Sequence, residues 1–212
     1  GNDELPPIRL YDYQPSRGGY HAEEFLKDFT GYLTCDGFGG YNKLKNVIRC
    51  GCLAHMGRYW HEALPGKMKK SPDKTPAEIG FDYCNQLFEL ERGYADLDAD
   101  TRKAKRLETE PAIWEAYWAW LETVNPAGGS RLAKAVTYAK NQKPYMENYL
   151  LDGRCSISNN IAENIARPYA VGRKNFLFHD TVRGARASAI VYSLVETAKL
   201  NHLNIYAYLE TV

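Results

Sequence analysis

Two hydrophobic rhythms divide this chain. From residue 8 to residue 64, short apolar runs alternate with Gly and Pro breaks. From about Pro76 to Leu150, apolar residues recur at helical spacing over long stretches. A period of two marks a half-buried strand and a period near 3.6 an amphipathic helix. The chain is therefore constrained to a mixed core interrupted by a helical block, an α/β fold with an all-α insertion.

Residues 8–13 (Ile-Arg-Leu-Tyr-Asp-Tyr) alternate as a strand should, and Pro15-Ser16-Arg17-Gly18-Gly19 breaks them. Residues 22–29 read as a short helix with Phe25, Leu26 and Phe29 on one face. Residues 31–35 read as a second strand ending at Asp36-Gly37, and 47–52 as a third. Residues 53–64 read as a helix stopped by Pro65-Gly66. In the helical block Phe81, Cys84 and Phe88 share a face. So do Ile113, Tyr117, Trp120, Leu121 and Val124, and later Leu132, Val136 and Ala139; Ser130 is placed to cap the last of these helices. A final long helix carries Ile190, Leu194 and Ala198 on one face. The expected boundaries are 1–70 for the first part of the core, 71–152 for the helical insertion and 153–212 for the second part of the core.

Bulk properties narrow the function classes. With 44% hydrophobic and 25% charged residues the chain is an ordinary globular one. A net charge of +1 excludes a polycation, so any nucleic acid must be met by a local patch. The five cysteines are odd in number and irregular in spacing, which points to reduced thiols and a cytoplasmic setting. No apolar run is long enough to span a bilayer. The chain begins Gly1-Asn2-Asp3-Glu4, with neither an initiator Met nor a signal-peptide pattern, and is expected to be part of a longer protein.

Two carboxylates stand out. Glu163 lies three residues after Asn160, the spacing of a capping box, and four before Arg167, the spacing of a helical ion pair. It also falls opposite the face shared by Ile161 and Ile165, so a short helix that buries the isoleucines and ends before Pro168 would hold the carboxylate rigidly. Asp36 follows a strand directly. That position faces the ligand crevice of an α/β sheet, although Asp-Gly is equally a common turn. Spacing alone leaves both pairs of readings open. Cys52 and His55 lack the second ligand pair of a zinc site; His55 is placed either in a hydrogen bond at a strand-to-helix junction or beside Asp36. Arg167, Arg173, Lys174, Arg183 and Arg186 face only Glu163 and Asp180 in their stretch, five cations against two anions, with Phe176 and Phe178 interleaved. Such a patch suits phosphate contacts, or a solvated turn. The Trp114, Tyr117, Trp118 and Trp120 cluster reads as helix packing.

The ordered motifs resemble the catalytic domain of the insertion sequence 66 family of bacterial transposases. They are Tyr13-Gln14-Pro15-Ser16-Arg17, Asp36-Gly37-Phe38-Gly39-Gly40-Tyr41-Asn42, Gly51-Cys52-Leu53-Ala54-His55, Asn159-Asn160-Ile161-Ala162-Glu163, Arg167-Pro168, Gly172-Arg173-Lys174-Asn175, residues 192–201 and residues 206–209. The resemblance implies a ribonuclease-H-like core, incomplete at its N-terminus, and a D-D-E triad holding two Mg²⁺ or Mn²⁺ ions. No metal is expected to be needed for folding. Asp36 falls on the second Asp of the triad and Glu163 on its Glu; nothing here matches the first Asp, so the fragment alone is expected to be inactive. Asn159, Asn160, Arg167 and His55 are expected to orient the carboxylates. Arg173, Lys174, Asn175, Arg183 and Arg186 are expected to meet DNA. Asn164 departs from the Arg that usually follows the family's Glu. The implied activity is metal-dependent cleavage of transposon ends and strand transfer by the 3′-hydroxyl into target DNA. Self-association, no membrane, and a bacterial cytoplasmic, nucleoid-associated location go with it. A non-catalytic DNA-binding or assembly module from a decayed element, or a nuclease without a joining step, are the alternatives.

Overall fold

A computed structural model describes residues 6–66, 73–176 and 179–212, with the side chains of 173–176 not described. The architecture is α/β and mostly helical. Its elements are α1 (Gly19–Phe25), β1 (Gly31–Thr34), β2 (Val47–Cys50), α2 (Leu53–Glu62), α3 (Pro76–Gly93), α4 (Ala99–Thr123), α5 (Arg131–Met146), α6 (Asn160–Phe176), α7 (Val182–Leu200) and α8 (Ile205–Thr211). They fall into two compact units: Leu26–Asn159, and Gly1–Phe25 with Asn160–Val212.

In the unit from Leu26 to Asn159, β1 and β2 form a parallel pair in the register Leu33↔Arg49 and Thr34↔Cys50. A parallel pair needs a crossover, which here carries a 3-10 turn over Gly39–Lys43. The helices start where the sequence caps them. Thr75 and Glu78 make a reciprocal capping box at α3, Asp98 accepts from the Thr101 amide at α4, and Ser130 accepts from the Ala133 amide at α5 as expected.

Packing of α2, α3, α4 and α5 builds the core. Trp60, Trp114, Tyr117, Leu121, Ala139 and Tyr149 are at most 1% exposed. Their polar tips are paired: Trp60 Nε1 donates to the Tyr117 hydroxyl, and Trp114 Nε1 to the Tyr149 hydroxyl, each at 3.1 Å. The aromatic cluster is core, as its spacing implied. Gly80 lets α3 approach α2: a Cβ there would lie 2.6 Å from Trp60 Cε2.

The smaller unit corrects several expectations. Residues 8–13 are extended but pair with no strand. Side chains of α7 satisfy their backbone instead: the Arg9 amide donates to Thr197 Oγ1 at 3.0 Å and the Tyr11 amide to Ser193 Oγ at 2.9 Å. The alternation was real, but its hydrogen-bond partner is a helix face. Pro168 does not end α6, which runs on to Phe176; a proline inside a helix leaves one carbonyl without its amide donor and need not stop it. The expected turn after Gly172 is thus helical through Phe176, while Leu177 and Phe178 lie outside the described residues. Asn160 is the first residue of α6 rather than its cap. Ile161, expected to bury, is 64% exposed, and Ile190 is 61% exposed; the buried line of α7 is Ala185, Ala189, Glu196 and Ala198.

Candidate active site

Asp36 stands just beyond the carboxyl end of β1. Its Oδ1 accepts the Phe38 amide at 3.0 Å, so the Asp-Gly turn is present and fixes the carboxylate. Gly37 presses this turn onto α5. A Cβ at residue 37 would lie 3.0 Å from Tyr138 Cε2 and 3.1 Å from Gln142 Nε2, so the backbone approaches that closely only without a side chain.

Polar groups without protein partners gather around this turn. Arg49 Nε, Tyr138 Oη, Gln142 Oε1 and Asn159 Oδ1 are buried, and none has a hydrogen-bond partner among the described residues. Arg49 is itself only 7% exposed. Its guanidinium lies 4.0 Å from the centre of the Tyr145 ring and donates to Asn42 Oδ1, and no carboxylate pairs with it among the described residues. Buried polar groups left unpaired cost about 1–3 kcal/mol each, so four at one turn mark a place built to meet something else. The set is rich in oxygen acceptors beside a carboxylate, the donor type a hard divalent cation and its waters take.

Cys52 caps the start of α2 and reaches the same region. Burial raises its pKa, but hydrogen bonds from the His55 side chain and from the Asn159 and His55 amides outweigh that and lower it. The Asn159 amide lies 3.4 Å from Cys52 Sγ. His55 is thus engaged with Cys52, which ties the start of α2 to the segment preceding α6. The neighbouring Cys35 thiol is pushed up, chiefly by burial and against the Arg49 hydrogen bond. All five cysteines are free and buried. No cluster of three or more His, Cys, Asp or Glu with metal-site geometry occurs among the described residues.

Glu163 lies in the first turn of α6, in the other compact unit. Asn160 and Arg167 share its helix and are exposed, and Arg183 and Arg186 are exposed in the first turns of α7. Arg173, Lys174 and Asn175 follow on α6; their side chains lie outside the described residues. The helix that carries Glu163 is anchored by Tyr11, whose hydroxyl donates to the Ile165 carbonyl. The Tyr11 ring packs 6.2 Å from Tyr169 and 5.8 Å from Tyr192. The structure therefore groups Asp36, His55 and Asn159 in one unit, and Asn160, Glu163, Arg167, Arg183 and Arg186 in the other.

Over residues 1–187 the chain matches the family model described as Transposase IS66 family. It belongs to the IS66 transposase family. Relatives in Sinorhizobium fredii (strain NBRC 101917 / NGR234) agree in extent. The chain is 30% identical over 209 residues to the uncharacterized protein y4qI, covering 92% of this chain and 38% of that one. It is 30% identical over 218 residues to the uncharacterized protein y4jD, covering 98% and 42%. The chain thus spans about two fifths of these IS66-like relatives. No solved structure matches it significantly.

Sequence reasoning passed over Arg49, Tyr138 and Gln142. Each carried a signal: a cation inside an apolar strand, and a Gln on the buried α5 face shared by Ala135, Val136, Ala139 and Met146. No helix among the described residues is long and apolar enough to cross a membrane.

Proposed function

We propose that this chain is part of the catalytic domain of a D-D-E transposase with a ribonuclease-H-like core. In the full-length protein it would cut DNA at transposon ends and join the 3′-hydroxyl to target DNA. The observation that carries this reading is Asp36, fixed just beyond the carboxyl end of a parallel strand and ringed by unpaired buried polar groups, in a chain of a transposase family.

Asp36 and Glu163 would hold the metal, with the third carboxylate supplied by a residue that has no counterpart here. Bound Mg²⁺ or Mn²⁺ ions activate the attacking hydroxyl and stabilise the leaving oxygen of an in-line displacement. The chain's own part is orientation. The Phe38 amide fixes Asp36, Tyr11 anchors the Glu163 helix, and the Cys52–His55–Asn159 contacts tie the start of α2 to the segment before α6. Arg173, Lys174, Asn175, Arg183 and Arg186 would meet the DNA backbone, a contact that gives affinity without sequence preference. With two of three carboxylates, the chain by itself is expected to be inactive.

The test is strand transfer of pre-cleaved ends by the full-length protein in Mg²⁺. D36N and E163Q should each abolish transfer while retaining DNA binding. A variant of either that transfers at the parental rate would falsify the assignment. Cleavage without joining by the parental protein would instead identify a nuclease.

A further inference from the structure

The four unpaired polar atoms near Asp36 are not equivalent. Arg49 and Asn159 are engaged through their other groups, Arg49 with Asn42 and Tyr145, Asn159 through its amide with Cys52. Gln142 and Tyr138 both come from α5, one helical turn apart, and both touch the position a Cβ would take on Gly37. Gln142 is 7% exposed and sits on the apolar face of α5, where Leu or Met would pack with nothing unsatisfied. Tyr138 stacks on Tyr59 with ring centres 4.5 Å apart, which fixes the direction of its hydroxyl. Burial, reinforced by the charges of Cys52, Tyr59 and Asp36, pushes the Tyr138 pKa up, so its hydroxyl stays protonated at neutral pH.

We propose that Gln142 Oε1 and the Tyr138 hydroxyl form a shelf that accepts hydrogen bonds from the hydration shell of a divalent cation at Asp36. The proposal rests on the reading of Asp36 as a metal-binding carboxylate. The chemistry matches on three counts. Mg²⁺ gives up its waters reluctantly and is held by one or two carboxylates plus retained water. Those waters are donors, and a carboxamide oxygen and a phenol oxygen are acceptors. An anion such as a phosphate would be repelled from the same place by the adjacent carboxylate. The helical block, joined to the strands by sequence, thus contributes directly to the Asp36 site through α5, and Gly37 is the residue that permits the contact.

The experiment is Mn²⁺ titration of the 212-residue chain, read by electron paramagnetic resonance and water-proton relaxation, with melting curves in EDTA. D36N should remove the tight Mn²⁺ site. Q142L and Y138F should each weaken Mn²⁺ binding by about tenfold, as outer-shell partners do, and Q142E should restore it. In EDTA, Q142L should melt at or above the parental temperature, because an unpaired buried acceptor has been replaced by an apolar group. Unchanged Mn²⁺ affinity in Q142L and Y138F, with loss in D36N, overturns the shelf and leaves the Asp36 reading standing. Absence of any Asp36-dependent Mn²⁺ site in the parental chain overturns that reading and the shelf with it. A Q142L that melts well below the parent in EDTA assigns Gln142 a packing role and also overturns the shelf.

Discussion

Arg106 and Glu91 form a two-pronged ion pair inside the helical block, with Nε and Nη2 donating to the two carboxylate oxygens at 2.7 and 2.6 Å. The remaining donors of Arg106 reach the carbonyls of Tyr149, Asp152 and Cys155 at 3.2, 3.2 and 2.9 Å. One side chain therefore joins α3 and α4 to the segment that leads on to Asn159. The sequence showed Arg106 only as one of many charges on a long helix; its burial to 1% exposure follows from how the helices cross.

R106M is expected to destabilise the chain by about 3–5 kcal/mol, because it leaves Glu91 and three carbonyls without donors in a buried setting. R106K should rescue little, since an ammonium cannot reproduce the planar fork. Urea denaturation of both variants measures this, and a loss below about 1 kcal/mol in R106M would contradict it.

Stability should fall as pH rises between about 5 and 8, through Glu110. This carboxyl is fully buried. Burial first, and then the neighbouring Glu91 carboxylate, push its pKa up to about 8, although the hydrogen bond from Tyr149 opposes the rise. The unfolded chain gives up the same proton near 4.5. Between those values the native state binds more protons than the unfolded one, so stability declines with rising pH. Arg106 favours the ionised form and Tyr149 donates to it, and both are included in that balance. Urea midpoints at pH 5.5, 7 and 8.5 should fall less steeply for E110Q than for the parent; parallel curves would refute the assignment.

Removing the Tyr11 hydroxyl should loosen the helix that carries Glu163. Y11F deletes the bond to the Ile165 carbonyl and keeps the ring contacts, at a cost of about 1 kcal/mol. Hydrogen exchange should quicken at the α6 amides and remain unchanged in α3 and α4. Uniform exchange across the chain would contradict that local role.

Gly80 is set by packing rather than by backbone conformation. G80A puts a methyl group against the Trp60 indole and should cost about 1–3 kcal/mol as an overpacked contact between α2 and α3. Thermal melting checks it, and the double variant G80A/W60F should recover part of the loss because the ring then gives way.

Local physics wrote much of this fold into the sequence. The helical block was legible because its period persists over many turns and because Thr75, Asp98 and Ser130 are polar caps placed directly before apolar-periodic runs. The strands around Asp36 were legible because β-favouring residues end at an Asp-Gly turn. Three features were not. Residues 8–13 carry a strand's alternation, but hydroxyl groups of Ser193 and Thr197, some 180 residues distant, take up their backbone donors. Pro168 reads as a stop, yet α6 continues past it. Gln142 and Arg49 read as surface residues, yet their burial depends on which helix meets the Gly37 turn.

By itself, then, the sequence determined the family, the alternation of strand and helix, and the two carboxylates worth testing, because these depend on residue type and short-range spacing. Only the tertiary structure decided which polar groups are buried without partners and which helix stands over Asp36. Burial and hydrogen-bond satisfaction are set by contacts between residues far apart in the chain, and no local pattern encodes them.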